Sequence, residues 1–129
     1  MRRTIIALTA AALATGCATV SSETTEDRTL SYGCSDIVAI GRLENGAYDA
    51  PSHSANDLIG HGWINATLHV RMVVSGEAVP TNIPVRYFAH TYMRDDRDFM
   101  FVLTPVDQSF EIARAQLMSA RPRAARDCP

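Results

Sequence analysis

The residues best suited to chemistry lie between Ser52 and His69. That stretch holds Ser52, His53, Ser54, Asn56, Asp57, His61 and His69, with Trp63 among them. Imidazoles and a carboxylate close in sequence could ligate a metal or serve a Ser/His/Asp relay, provided that they converge in space. His53, Asp57, His61 and His69 are the candidates. No H-E-x-x-H or G-x-S-x-G frame fixes their spacing. Loops that join strands collect Ser, Asn and Asp for plain turn chemistry as well. The stretch therefore reads first as a connecting loop, and as the place to look for a ligand site if there is one, with no catalytic residue, metal site or cofactor assigned. Arg94-Asp95-Asp96-Arg97-Asp98 carries three carboxylates but lacks the glycine frame of a calcium loop, so it reads as a solvated turn with local ion pairs.

Three cysteines form the second chemical set: Cys17, Cys34 and Cys128. Cys17 closes an N-terminal leader made of Arg2-Arg3, an apolar run from Thr4 to Ala14, and the small-residue exit Thr15-Gly16. A basic start, a short apolar run and a small-residue exit are the parts of a secretory signal, and the run is too short to span a bilayer. Export places the chain in an oxidising space, where an unpaired thiol is a liability. Ala14-Thr15-Gly16-Cys17 resembles the lipobox of bacterial lipoproteins, in which the cysteine thiol takes a lipid and the chain is cut just before it. The resemblance departs at Ala14, where that family prefers leucine. The alternative is an ordinary cut after Ala14, which leaves Cys17 a plain thiol. Lipid on Cys17 leaves Cys34 and Cys128 as one even pair. Their joining would staple both ends of a small domain. In Gram-negative lipoproteins an aspartate after the cysteine usually retains the protein at the inner membrane. Ala18 thus implies an outer-membrane lipoprotein facing the periplasm.

The elements that would position these groups follow from hydropathy. Residues 1–16 are the signal peptide, and 17–33, rich in Ser, Thr and Glu, read as a lipid-anchored flexible tether. Residues 34–128 form a single β domain. Ile64, Ala66, Leu68, Val70, Met72 and Val74 alternate with mostly polar neighbours, giving a long strand with one buried face. Ile83 to Ala89 gives a second strand, with Pro84 confined to an edge or first position. Asp36–Leu43 is rich in branched residues and reads as buried on both faces for part of its length. Phe99–Leu103 is a short apolar strand ended by Pro105. Phe110 and Ile112 would open a fifth strand, but Ala113 and Arg114 break the alternation. Phe110, Ala113 and Leu117 also fit a short C-terminal helix capped by Ser109 and stopped by Pro122. Both readings stand. The arginines at 114, 121, 123 and 126 read as a solvated basic tail.

The fold class is thus all-β, a four- to five-stranded barrel or sandwich. Cys34-Ser35-Asp36-Ile37-Val38, Leu68 to Gly76 and Phe101-Val102-Leu103 resemble the strands of OB-type barrels, and among these the netrin-like and metalloprotease-inhibitor (TIMP) domains. The inhibitor family presents a processed N-terminal cysteine to a protease zinc. Cys34 lies well inside this chain, so that mechanism does not carry over, and the family's several disulfides shrink to one.

Net charge is −2, and removing Arg2 and Arg3 with the leader makes it −4. A mildly acidic chain offers no global attraction for nucleic acid. The resulting expectation is an exported, lipid-anchored envelope protein. Its β domain binds a partner protein or a saccharide without catalysis, and it meets the membrane through its lipid. The alternative is a small metal-dependent or hydrolytic enzyme using the His/Asp-rich loop 52–69.

Overall fold

The computed structural model describes residues 28–49 and 60–129. The leader, Cys17 and most of the expected tether lie outside the described residues, as do His53 and Asp57. Seven strands follow in chain order: β1 (Thr29–Tyr32), β2 (Ile37–Asp49), β3 (Gly62–Ser75), β4 (Asn82–Ala89), β5 (Phe99–Val106), β6 (Ser109–Leu117) and β7 (Arg123–Arg126).

Five of them close a barrel in the order β2-β3-β4-β6-β5. Its neighbours are antiparallel except β4 and β6, which run parallel through Val85 opposite Phe110 and Arg86 opposite Glu111. A meander of three strands closed by a crossed pair is the OB-type arrangement, and closure leaves no long edge exposed. Alternation supplies the interior. Ile37, Ala39 and Leu43 point inward from β2, Ile64 and Leu68 from β3, Val85 and Tyr87 from β4, and Phe101 and Leu103 from β5. Pro84 and Pro105 are both tolerated inside strands. The β4–β6 pairing begins only at Val85 and the β2–β5 pairing ends at Leu103. Each proline therefore has one side of its strand free of ladder bonds. β5 accordingly runs past Pro105 to Val106 instead of ending there.

The β2–β3 pairing slips once between Asn45 and Tyr48, and the barrel departs from simple alternation at two further places that correct the sequence reading. Met72 and Val74, expected on the buried face, are 54% and 44% exposed. Val70 pairs with Gly41 and Met72 with Ile40, which leaves Arg71 as an extra residue; Val73 pairs with Ala39 and Ser75 with Val38, which leaves Val74. An added residue sends everything after it to the opposite face, so Val73 rather than Met72 packs on the core. Gly41 sits at the first of these bulges. A Cβ there would collide with the His69 carbonyl oxygen, so only glycine admits this close approach. The second place is β6. Leu103 pairs with Ile112 and Val102 with Arg114, leaving Ala113 extra. Phe110 and Ile112 point inward before the bulge, Ala115 and Leu117 after it. The segment is therefore a strand. Its helix-like spacing is that of a strand with one inserted residue, and the only helical turn that follows is Met118–Ala120.

β1 and β7 form a separate parallel ribbon, Thr29 opposite Arg123 through Tyr32 opposite Arg126. The fold thus begins inside the segment assigned to the tether, and the arginine tail is partly strand. The ribbon covers the outer side of β2 and β5. Leu30 meets Val38, Met100 and Val102 in a second small core, with Ile40 and Ala124 packed against it. This is why β2 is apolar on both faces over its first half, as its composition implied, and why β5 carries an unbroken apolar run. Cys34 and Cys128 are bonded just beyond the ends of β1 and β7, with Cα atoms 5.5 Å apart across 94 residues of sequence. Asp36 fixes the intervening turn. Its carboxylate accepts from the Gly33 amide at 2.7 Å and from the Thr104 hydroxyl of β5 at 2.8 Å.

The strand assignment predicts a contrast between near neighbours on β3. Leu68 is fully buried, whereas the Arg71 side chain is 60% exposed and holds Asp98 at 3.0 Å. Leu68→Ala should cost ~2–5 kcal/mol in denaturant unfolding, as emptied leucine sites do. Arg71→Ala should cost about 1 kcal/mol or less, the scale of an exposed ion pair. Equal losses would contradict the barrel.

Candidate functional site

The outward faces of β3 and β4 carry the most varied chemistry of the molecule. Their register sets Trp63 opposite Phe88, Asn65 opposite Arg86, Thr67 opposite Pro84 and His69 opposite Asn82. One step beyond the last pair, Gly62 with Ala89, the same register brings His61 beside His90. All these residues leave the barrel because their alternate neighbours Ile64, Ala66, Leu68, Ile83, Val85 and Tyr87 fill it.

At one end the rings assemble. Trp63 and Phe88 meet edge to face with centroids 5.3 Å apart, His61 stacks on Phe88 at 5.8 Å, and His90 meets His61 at 5.1 Å. Such offset and edge-on geometries are the favourable ones for aromatic pairs. Arg86 lies over the Trp63 ring, its guanidinium carbon 4.5 Å from the centroid, and its Nη2 donates to Glu111 Oε2 at 3.0 Å. The cation is thus held between a π face and a carboxylate. Phe88 nonetheless remains 54% exposed, an unusual position for a phenyl ring in so small a barrel. Below this group, Asn65 Nδ2 donates to Asp49 Oδ2 at 2.8 Å.

The adjacent mouth of the barrel is ordered by Tyr87. Its hydroxyl donates to Asn45 Oδ1 at 2.6 Å and accepts from the Met93 amide at 2.9 Å, while Asn45 Nδ2 donates to the Met93 carbonyl at 2.8 Å. Burial pushes the Tyr87 phenol up from its usual value, so it stays a neutral donor. This network pins the β4–β5 connection over the barrel end. Tyr48, Ile64, His90, Thr91 and Tyr92 then line a shallow depression there. Farther along that connection the acidic run resolves into ion pairs, as its composition suggested. Arg94 grips Asp96 through two bonds of 2.9 and 2.7 Å, and Asp98 is shared by Arg42 and Arg71 at 3.0 Å each. The Arg94 guanidinium holds the Asp96 carboxyl below the usual range.

Of the four candidates read from the sequence, His61 and His69 fall among the described residues, and the structure does not bring them together. They stand eight residues apart along one extended strand, roughly 26 Å at the usual rise. His69 belongs instead to a polar row across three strands. Its Nδ1 meets Asn82 Oδ1 at 2.7 Å and its Nε2 meets Glu44 Oε2 at 2.9 Å. With an acceptor at each nitrogen, the doubly protonated ring is the favoured form. Among the described residues, no group of three or more His, Cys, Asp or Glu side chains converges as a metal cage. Phe88, Arg86, Glu111 and His90 were not singled out from the sequence. Alternation alone marks them as outward-facing, but only the β3–β4–β6 register shows that they meet.

The His69 row makes a definite expectation. Hydrogen bonding to Asn82, and then to Glu44, raises the His69 pKa above that of a free histidine. A raised folded-state pKa adds stability that is fully present below the unfolded value of ~6.5 and is lost as pH rises through the folded value. An NMR titration should place His69 above ~6.5, and Asn82→Ala should bring it down. An unchanged value in that variant would dismiss the row as the cause.

A scan of protein-family models, a search of curated proteins and a search of solved structures each return no match for this chain.

Proposed function

We propose that the protein is an exported, lipid-anchored envelope module that binds saccharide on the outer face of β3 and β4, without catalysis. The observation that carries this reading is the exposed Phe88 ring set against the half-buried Trp63, bordered by Arg86 with Glu111 and Asn65 with Asp49. A pyranose ring offers apolar C–H faces and a rim of hydroxyls. Flat aromatic side chains match the faces, and planar amide, guanidinium and carboxylate groups match the rim. OB-type barrels use the corresponding two strands for oligonucleotides and oligosaccharides. The mildly acidic charge of the chain favours the uncharged partner over the polyanion. The leader and Ala14-Thr15-Gly16-Cys17 support delivery to the envelope, with Cys17 carrying the lipid and the outer membrane, periplasmic side, as destination.

Trp63 is the only tryptophan in the sequence, so it reports directly on this face. Oligosaccharides of N-acetylated amino sugars should shift its fluorescence saturably, and Phe88→Ala should weaken that response at least ~10-fold, about 1.4 kcal/mol. No response to saccharide, with a shift on single-stranded DNA instead, would reverse the assignment. For the anchor, the native protein should take up a fatty-acid probe and partition into membranes, and Cys17→Ser should abolish both. A mature N-terminus at Thr15 without lipid would instead establish an ordinary signal peptide.

A further inference from the structure

We infer that His61 and His90 form a two-imidazole site for a divalent transition-metal ion, Cu2+ above the others, at the end of the β3–β4 face. The inference does not depend on the saccharide reading. It starts from position. Gly62 and Ala89 are the last pair of the β3–β4 ladder, and His61 and His90 flank that pair one residue beyond each strand. Their rings are in contact there, close enough for both side chains to reach one ion.

The ring separation leaves room for one ion once each ring turns a nitrogen toward it. A metal–nitrogen bond of ~2.0–2.1 Å plus the ~1.1 Å from nitrogen to ring centre places each centroid ~3.2 Å from the ion. At a ligand angle between ~90° and ~110°, two such centroids are ~4.5–5.2 Å apart. His61 and His90 stand at 5.1 Å. Phe88 backs the His61 ring in a near-parallel stack of 17°, which limits its rotation before any ion arrives. His90 is exposed and open to adjustment.

Ligand type decides the ion. Imidazole suits copper, nickel and zinc, whereas calcium and magnesium require oxygen cages. Imidazole ligands leave affinity to follow the ordinary order of divalent ions, in which copper is highest. A two-ligand site of this kind exchanges its ion readily. It fits a surface that takes up or passes on a metal better than a buried structural centre.

The test is a Cu2+ titration of the full chain, followed by calorimetry and by electron paramagnetic resonance. One equivalent should bind, with splitting from two nitrogens. His61→Phe, which keeps the stack on Phe88 but removes the nitrogens, and His90→Ala should each weaken binding at least ~10-fold, the scale on which a metal site registers lost support. His69→Ala should bind as the unaltered protein does. In the unaltered protein, NMR signals of His61 and His90 should broaden before those of His69, which keeps the test decisive should a variant unfold. Undiminished binding in His61→Phe and His90→Ala, loss in His69→Ala, or first broadening at His69 would each overturn the site.

Discussion

A small closed barrel has one interior, and every strand residue must be sent into it or away from it. Side chains change face at each step along a strand, so the decision for one residue binds all its neighbours. The molecule meets this constraint by alternation where it can, as from Ile64 to Leu68, and by inserting single residues where it cannot. The extra residues Arg71, Val74 and Ala113 rephase β3 and β6 so that Val73, Ala115 and Leu117 still reach the core. Bulges also bend a strand and increase its twist, which a five-stranded ring needs in order to close. The first of them does a further thing. The inserted Arg71 points outward and holds Asp98, which Arg42 also holds, and so fastens β2, β3 and the start of β5 at one point.

The ribbon of β1 and β7 solves a different problem. β2 and β5 carry apolar residues on their outer sides, and Val38 and Val102 are as deeply buried there as the barrel interior. Four-residue strands contribute little by themselves, since a two-stranded sheet is marginal in water. Closing a loop of about a hundred residues is worth ~4.7 kcal/mol on chain-entropy grounds. Against a usual domain stability of ~5–15 kcal/mol, the Cys34–Cys128 bond is a large share. It acts where the ribbon's two strands leave the fold. The disulfide thus secures a cover that the ribbon's own hydrogen bonds would hold weakly.

How far the sequence revealed this fold depended on whether a segment kept its phase. Ile64 to Val70 and Ile83 to Ala89 keep it, and both strands and their buried faces were legible. Asp36–Leu43 was legible too, because burial on both faces leaves an unbroken apolar run. Ser109–Leu117 was not, since Ala113 shifts the phase and leaves apolar spacings of three and four that also describe a helix. The ribbon escaped for another reason. Arg123-Ala124-Ala125-Arg126 and Thr29-Leu30-Ser31-Tyr32 are short and have little pattern, and only the cluster with Val38, Met100 and Val102 buries Leu30 and gives Ala124 something to pack on. The site divides in the same way. Histidines and the tryptophan can be seen singly, but their grouping is a property of register. It separates His61 from His69 and joins His61 to His90, which lies twenty-nine positions away in sequence.

The two halves of the architecture together explain why the outward-facing rings and polar side chains group where they do. The ribbon occupies the outer side of β2 and β5, so those strands have no free face to offer over that stretch. β6 gives its outer side to a bulge and to Glu111, which is engaged by Arg86. Among the described residues, what remains broad and regular is the outer side of β3 and β4, joined over eight consecutive register pairs without a bulge. Bulge-free pairing keeps cross-strand neighbours at fixed spacing, which is the condition for rings to stack and for side chains to act in pairs. Trp63 with Phe88, His61 with His90 and His69 with Asn82 are three different chemistries produced by that one ladder. Elsewhere the strands spend their irregularity on closing the barrel, and the regular pair is left to meet the environment.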